Sequence, residues 1–218
     1  MGAGHNGLVA AAYLAKAGKK VLVLERKPYP GGGVVTRQLN TPGYWHDEHS
    51  SVHIMIQGNP MLRQDELALL SKHGLKYHYS QVPHATIFAD QSTLFSYKDL
   101  DRTCEGFARL SQKDADTYRN FVKLSQQILE FFMPGLYAPP PPLGELVALL
   151  DRSEQGRLML DFMSRDCLDL VNQLYENDKI KIHLLRLVSE NLQCPNELGT
   201  GMGVLLMPGI IHTYGVSQ

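Results

Sequence analysis

Gly2-Ala3-Gly4-His5-Asn6-Gly7 is the feature that most limits what this chain can become. A Gly-x-Gly-x-x-Gly run joins a strand to a helix. The first glycine makes the tight turn, the second lets backbone approach a pyrophosphate, and the third lets helix and sheet pack closely. The pyrophosphate then meets free N–H groups at the helix N-terminus, where the dipole favours negative charge. Only Met1 precedes the loop, so the leading strand is expected to be missing or shortened and the chain to be part of a longer one.

A lone match of this kind is a weak signal, because Gly-rich turns are common. The residues behind it add weight. Leu8, Ala11, Ala12, Leu14 and Ala15 are small and apolar at helical spacing, and Gly18 supplies a stop. Val21-Leu22-Val23-Leu24 is a continuous apolar run, as in a buried parallel strand. Glu25 ends it about 20 residues after the loop, where an acid takes an adenosine ribose hydroxyl. Arg26 and Lys27 follow. Arg26 keeps a 2′-phosphate in play, whereas Glu25 favours an unphosphorylated ribose, as in NAD or FAD.

Glu25 is followed by five residues and then Gly31-Gly32-Gly33-Val34-Val35-Thr36, and later by Pro42-Gly43-Tyr44-Trp45-His46-Asp47. This pattern resembles the extended FAD signature of the phytoene desaturase, carotenoid isomerase and amine oxidase superfamily. Gly31, Gly32 and Thr36 match one segment of it, Gly43 and Asp47 a later one. The opening Gly-Ala-Gly-His-Asn-Gly-Leu is similar to the bacterial phytoene dehydrogenase-related branch. The strong part of the likeness covers Gly2 to about Gly58, and a looser part runs to Gly215. Where that family often has Gly two positions after the Asp, this chain has His49. The resemblance implies that Gly2, Gly4 and Gly7 cradle an FAD pyrophosphate and that Glu25 holds the ribose, with Arg26 beside it. Gly31, Gly32 and Thr36 would line the cofactor path. It also implies that these 218 residues alone hold FAD weakly or not at all, since the family's later flavin segment is not among them.

Composition narrows the class further. Hydrophobic content of 44% and charged content of 20% are those of a globular protein, and a net charge of −1 gives no electrostatic footprint for nucleic acid. No apolar run approaches the length of a membrane span, which leaves peripheral membrane contact open. Cys104, Cys167 and Cys194 are few and widely spaced, with no Cys-x-x-Cys, as expected of a reducing, cytoplasmic setting. Oligomeric state is not legible.

Beyond residue 74 the texture changes. Residues 75–79 alternate like a strand, and 85–89 and 93–97 flank a turn at Asp90-Gln91-Ser92. Asp99 or Asp101 can cap a first helix, and Ser111 with Asp114 resembles a capping box for a second. Tyr118, Phe121, Val122, Ile128, Leu129 and Phe132 give that helix one apolar face, with Pro134 and the run Pro139 to Pro142 ending it. Further helices are expected over 154–174, with Leu160, Met163, Cys167 and Leu170 on one face, and over 180–192, with Leu184, Leu187, Val188 and Leu192. Gly199-Thr200-Gly201-Met202-Gly203 lacks a preceding strand and a following ribose acid, so it is expected to be a loop rather than a second nucleotide turn. His212 or Tyr214 would lie near a substrate site by resemblance.

His46, His49 and His53 sit close together with Asp47 and Glu48, but an extended backbone there disfavours a metal box, and no metal is expected. The expected fold is α/β. A Rossmann-like FAD-binding half spans 1–74, with its first strand missing or shortened. A β-hairpin and a mainly helical, incomplete substrate or cap region follow over 75–218. The leading functional expectation is an FAD-dependent oxidoreductase, or a fragment of one, whose flavin accepts hydride from a hydrophobic small molecule. No catalytic side chain is singled out. The alternatives are an NAD(P)-dependent dehydrogenase, which leaves Gly31, Gly32 and Thr36 unexplained, and a non-catalytic flavoprotein-like chain.

Overall fold

The computed structural model describes residues 2–189 and 193–217. Two compact units share them: residues 1–78 with 217–218, and residues 79–216.

The first unit is built on α1 (His5–Lys16). The helix closes in a Schellman motif around Gly18 (φ +74°). Gly18 N–H donates to Ala15 O at 2.9 Å, and Lys19 N–H to Leu14 O at 3.0 Å. The short strands β1 (Val35–Arg37) and β2 (His46–His49) pair antiparallel, Thr36 opposite Asp47. A 3-10 turn (Met55–Gly58) leads into α2 (Pro60–Arg63), which Asn59 caps. Tyr13 and Lys16 of α1 both donate to Glu66, which ties the helix to the segment after α2. Ser217 belongs to this unit: its carbonyl accepts His53 N–H at 2.8 Å, and its hydroxyl accepts from Gln57 at 2.8 Å.

The expected parallel strand at 21–24 is not formed. That segment has no ladder partner, and Leu22 and Leu24 are 73% and 64% exposed. A parallel strand exists only by pairing, and the described residues place no strand beside this one. For the same reason Leu8 and Leu14 of α1 are exposed and only Ala11 is buried. Among the described residues, parallel pairing in this unit is limited to one isolated bridge, Gly4 with Gly31.

The second unit holds most of the core. β3 (His84–Ile87) and β4 (Thr93–Ser96) form the expected hairpin, with Gln91 in the left-handed region at its tip. Residues 75–78 alternate in burial but join no named strand. α3 (Leu100–Ala108) is capped by Asp99, whose carboxylate accepts Arg102 N–H at 3.0 Å. α4 (Gln112–Leu136) is capped by Ser111. Asp114 does not complete the expected capping box. It is fully buried and accepts the N–H groups of Glu176 at 2.9 Å and Asn177 at 2.8 Å. α4 buries Tyr118, Phe121, Val122, Ile128, Leu129 and Met133, with Phe132 only half-buried. Pro134 does not end the helix. It lies inside the last turn, where its missing N–H costs one ladder bond, that to the Glu130 carbonyl.

α5 (Leu143–Leu150) follows the proline run and was not foreseen. The single helix expected over 154–174 is two: α6 (Glu154–Ser164) and α7 (Cys167–Leu174). Arg165 is extended between them, and Asp166 caps α7 by accepting Asp169 N–H at 2.8 Å. α8 (Asp178–Ser189) follows; Leu192, expected on its face, lies outside the described residues.

The loop expected at 199–203 instead runs into α9 (Gly201–Thr213), which is buried along most of its length. Its glycines are contact points. A Cβ on Gly201 would stand 2.5 Å from Phe162 O, and one on Gly203 would stand 2.6 Å from Val188 Cγ1. Pro208 interrupts the helix ladder, and Ser125 of α4 repairs the neighbouring bond. Its hydroxyl accepts Gly209 N–H at 2.8 Å and donates to Leu205 O, so it stands inserted between two groups that would otherwise bond each other.

Candidate dinucleotide site

α1 begins directly after Gly4, whose backbone is extended (φ −71°, ψ 164°). A glycine cap has no side chain to turn back onto the helix, and no acid stands in the first turn. The first ladder bond is Leu8 N–H to Gly4 O at 2.9 Å, so the N–H groups of His5, Asn6 and Gly7 stand ahead of it. None of these three has an acceptor among the described residues. This is the donor set that suits a phosphate anion.

Glu25 reaches this loop. Its Oε2 accepts Ala3 N–H at 2.8 Å, and its Oε1 accepts Lys27 N–H at 2.9 Å. These bonds, Lys27 first and Ala3 second, hold its carboxyl below the usual glutamate range. The group is therefore an ionised acceptor at neutral pH, able to receive hydroxyl donors on its remaining lone pairs.

Gly31 and Gly32 meet the loop from the other side. Gly31 N–H donates to Ala3 O at 2.7 Å. Gly32 (φ +66°) packs so closely that a Cβ would stand 2.9 Å from Gly4 Cα. Gly31 (φ +116°) is tighter, with Val34 O only 2.2 Å from its Cβ position. Both positions need glycine on conformational and steric grounds. Gly2, Gly4, Glu25, Gly31 and Gly32 thus converge around Ala3, while Gly7 lies in the first turn of α1. The geometry and the donor set fit a dinucleotide backbone.

The remaining expected residues lie nearby in the unit but outside that convergence. Thr36 Oγ1 donates to Asp47 Oδ1 at 2.5 Å, which joins the two segments of the sequence pattern across the hairpin. Arg26 is exposed and has no ion-pair partner among the described residues. Ala3 was not foreseen; both its backbone groups link the site, and an alanine between two glycines gives no sequence signal of that. Arg37 was also missed. It pairs with Glu48 at 2.5 Å, lies 4.8 Å from the Tyr29 ring centroid and keeps a buried Nε without a partner.

Residues 1–64 match the NAD(P)-binding Rossmann-like domain. The chain is 31% identical over 162 residues to a limonene dehydrogenase polypeptide of Castellaniella defragrans, an alignment covering 74% of this chain and 29% of that one. It is 31% identical over 153 residues to pyridine nucleotide-disulfide oxidoreductase domain-containing protein 2 of Rattus norvegicus, covering 67% and 26%. An uncharacterized Mycobacterium bovis protein is 60% identical over 38 residues, covering 17% and 7%. The chain spans less than a third of the length of these relatives. The Rossmann-like domain in an oxidoreductase homologue implies a dinucleotide cofactor.

His46, His49 and His53 form no metal-holding group among the described residues. β2 puts His46 and His49 on opposite faces, since side chains alternate along a strand. His53 instead meets Ser50 Oγ at 3.0 Å and the Tyr77 ring edge-on. Among the described residues no three His, Cys, Asp or Glu side chains are placed to hold a metal ion, and no helix is long and apolar enough to cross a membrane. In the second unit, both nitrogens of His212 are engaged. Nδ1 donates to Lys98 O at 3.0 Å, and Nε2 accepts from Tyr118 at 3.1 Å. Burial lowers its pKa, which keeps it neutral.

Proposed function

We propose that this chain is part of an FAD-dependent oxidoreductase of desaturase or dehydrogenase type, within the phytoene desaturase, carotenoid isomerase and amine oxidase superfamily. One observation carries the reading: the ionised Glu25 meets the glycine loop while Gly31 and Gly32 cross that loop from the other side. The N–H groups of His5, Asn6 and Gly7 receive the pyrophosphate, and Gly2, Gly4 and Gly7 let it approach. Glu25 accepts the ribose hydroxyls, with Arg26 at its margin. Gly31 and Gly32 let backbone pass close to the cofactor, and Asp47 orients Thr36 beside that path.

Bound flavin supplies the redox chemistry by accepting hydride, and the protein supplies placement and electrostatics. A hydrophobic small-molecule substrate agrees with the similarity to a dehydrogenase named for limonene, an apolar hydrocarbon. The unit of residues 1–78 with 217–218 is the nucleotide-binding part and that of residues 79–216 the substrate or cap region. The free thiols of Cys104, Cys167 and Cys194 agree with a reducing, cytoplasmic setting.

A second reading, an NAD(P)-dependent dehydrogenase, is supported by the description of the matched domain. It uses Gly2 to Glu25 equally well but gives Gly31 and Gly32 no role. Titration of the chain with FAD against NADH, read by flavin and nicotinamide fluorescence, separates the two. FAD binding in preference to NADH, even if loose, is the expected result. NADH binding that FAD does not displace would overturn the flavin reading.

A further inference from the structure

The second unit carries a feature unrelated to the dinucleotide loop. An open pocket of about 360 Å3 lies between α3 and the β3–β4 hairpin. Arg102, Glu105, Gly106 and Arg109 line one wall, spaced so that they share a single face of the helical segment. Leu94, Phe95 and Tyr97 also line the pocket. A Cβ on Gly106 would make ordinary contact with Leu94, 3.9 Å from Cδ1.

The polar groups are unevenly satisfied. Lys179 at the rim is neutralised by Asp90, and it also donates to Ser92 Oγ at 2.7 Å. Arg102 and Arg109 have no carboxylate within ion-pairing distance among the described residues, although Glu105 stands between them in sequence. Arg102 instead lies over the Tyr97 ring, its guanidinium carbon 4.1 Å from the centroid. A ring contact of this kind spends none of the guanidinium N–H groups on a carboxylate, so they remain available to an anionic acceptor. Phe95 and Tyr97 stand with ring centroids 5.9 Å apart, tilted at 40°, and offer an angled apolar surface beside it. The volume lies in the range of small-molecule sites.

We infer that this pocket binds an organic anion: an apolar body against Phe95 and Tyr97, with a carboxylate or phosphate head held by Arg102 and Arg109. The chemistry is that of an anionic acceptor meeting guanidinium donors that no described carboxylate engages, with the body supplying apolar burial. The inference is independent of the dinucleotide reading, because it uses none of the residues of the first unit.

The test titrates the whole chain with 2-naphthoate, 2-naphthyl phosphate, the neutral 2-naphthamide and inorganic phosphate, followed by calorimetry and by NMR shifts around residues 93–109. At least one naphthyl anion should bind about tenfold or more tighter than both the amide and inorganic phosphate, an increment of one charge-assisted contact. The tighter of the two identifies the head group. Arg102→Gln and Arg109→Gln should each reduce that preference and leave the weak affinity for the amide in place, while Lys123→Gln, on the exposed face of α4, should change nothing. Arg102→Lys, which keeps charge but not the fork, should fall between. Circular dichroism confirms that each variant is folded before it is scored. Equal affinity for anion and amide, equal affinity for inorganic phosphate, or an anion preference that survives both glutamine variants would overturn the inference.

Discussion

Glu25 accepts the backbone N–H of Ala3 at 2.8 Å, across 22 residues of sequence. The contact fixes the acid against the glycine loop rather than leaving it as a solvated strand-end charge. The bond also helps keep the carboxyl ionised. Glu25→Gln replaces an acceptor-only group with an amide and loses the charge. The expected outcome is an FAD affinity reduced by about tenfold, with far less effect on inorganic phosphate binding at the α1 N-terminus. Parallel titrations with the two ligands check it.

Three adjacent glycines give a sharper contrast. Gly31 and Gly32 have positive φ, and a Cβ on either would press on backbone, while a Cβ on Gly33 would meet nothing within 4 Å. Gly31→Ala and Gly32→Ala should each cost about 1–3 kcal/mol and disturb nucleotide binding. Gly33→Ala should be close to neutral in both respects. Urea unfolding of the three variants tests this directly, and equal effects at all three positions would contradict the close approach of Gly32 to Gly4.

These residues were legible because their spacing encodes a local backbone requirement. Features set by distant contacts were not. Val21 to Leu24 has the composition of a strand, but composition supplies no neighbour, and the segment stays unpaired. The break at Arg165 was hidden because Leu160, Met163, Cys167 and Leu170 keep an apolar rhythm through it, although Asp166 with Asp169 carried a cap signal. α9 reads as a loop because glycine is a poor helix former. Tertiary packing overrides that preference: Gly201, Gly203 and Gly209 are the points where α6, α8 and α4 press against the helix, places no larger residue fits.

Ser125 shows the same dependence on distant contacts. Its hydroxyl stands between Gly209 N–H and Leu205 O beside Pro208, and it is fully buried. Ser125→Ala removes both bonds at once, leaving a buried donor and acceptor facing each other across the space the hydroxyl filled. The expected loss is about 1–3 kcal/mol in chemical denaturation. A change within experimental error would mean that the α9 ladder closes on itself without the serine.

His183 supplies a pH dependence. It is fully buried, with Nδ1 2.8 Å from Thr86 Oγ1 and Nε2 2.8 Å from Ser96 Oγ. Burial pushes its pKa down to about 3, with His84 and Arg186 adding to the effect, against an ordinary value of 6.5. The unfolded chain therefore binds a proton that the folded chain refuses between those values. The stability contributed by the neutral ring is full above pH 6.5 and is lost as pH falls toward 3, by up to about 1.4 kcal/mol per pH unit. Urea midpoints followed from pH 7 to pH 4 should fall steadily, and His183→Gln should flatten that slope while lowering stability at pH 7.

In the proposed function, the loop at Gly2 to Gly7, together with Glu25, reads the adenosine diphosphate half of a dinucleotide. Amide NMR shifts of Gly4, Asn6, Gly7 and Lys27, followed as ADP or phosphate-free riboflavin is added, test it even where binding is weak. Saturable shifts are expected with ADP, with an affinity reduced about tenfold by Glu25→Ala, and none at these positions with riboflavin. Shifts produced equally by riboflavin, or an ADP affinity untouched by Glu25→Ala, would overturn it.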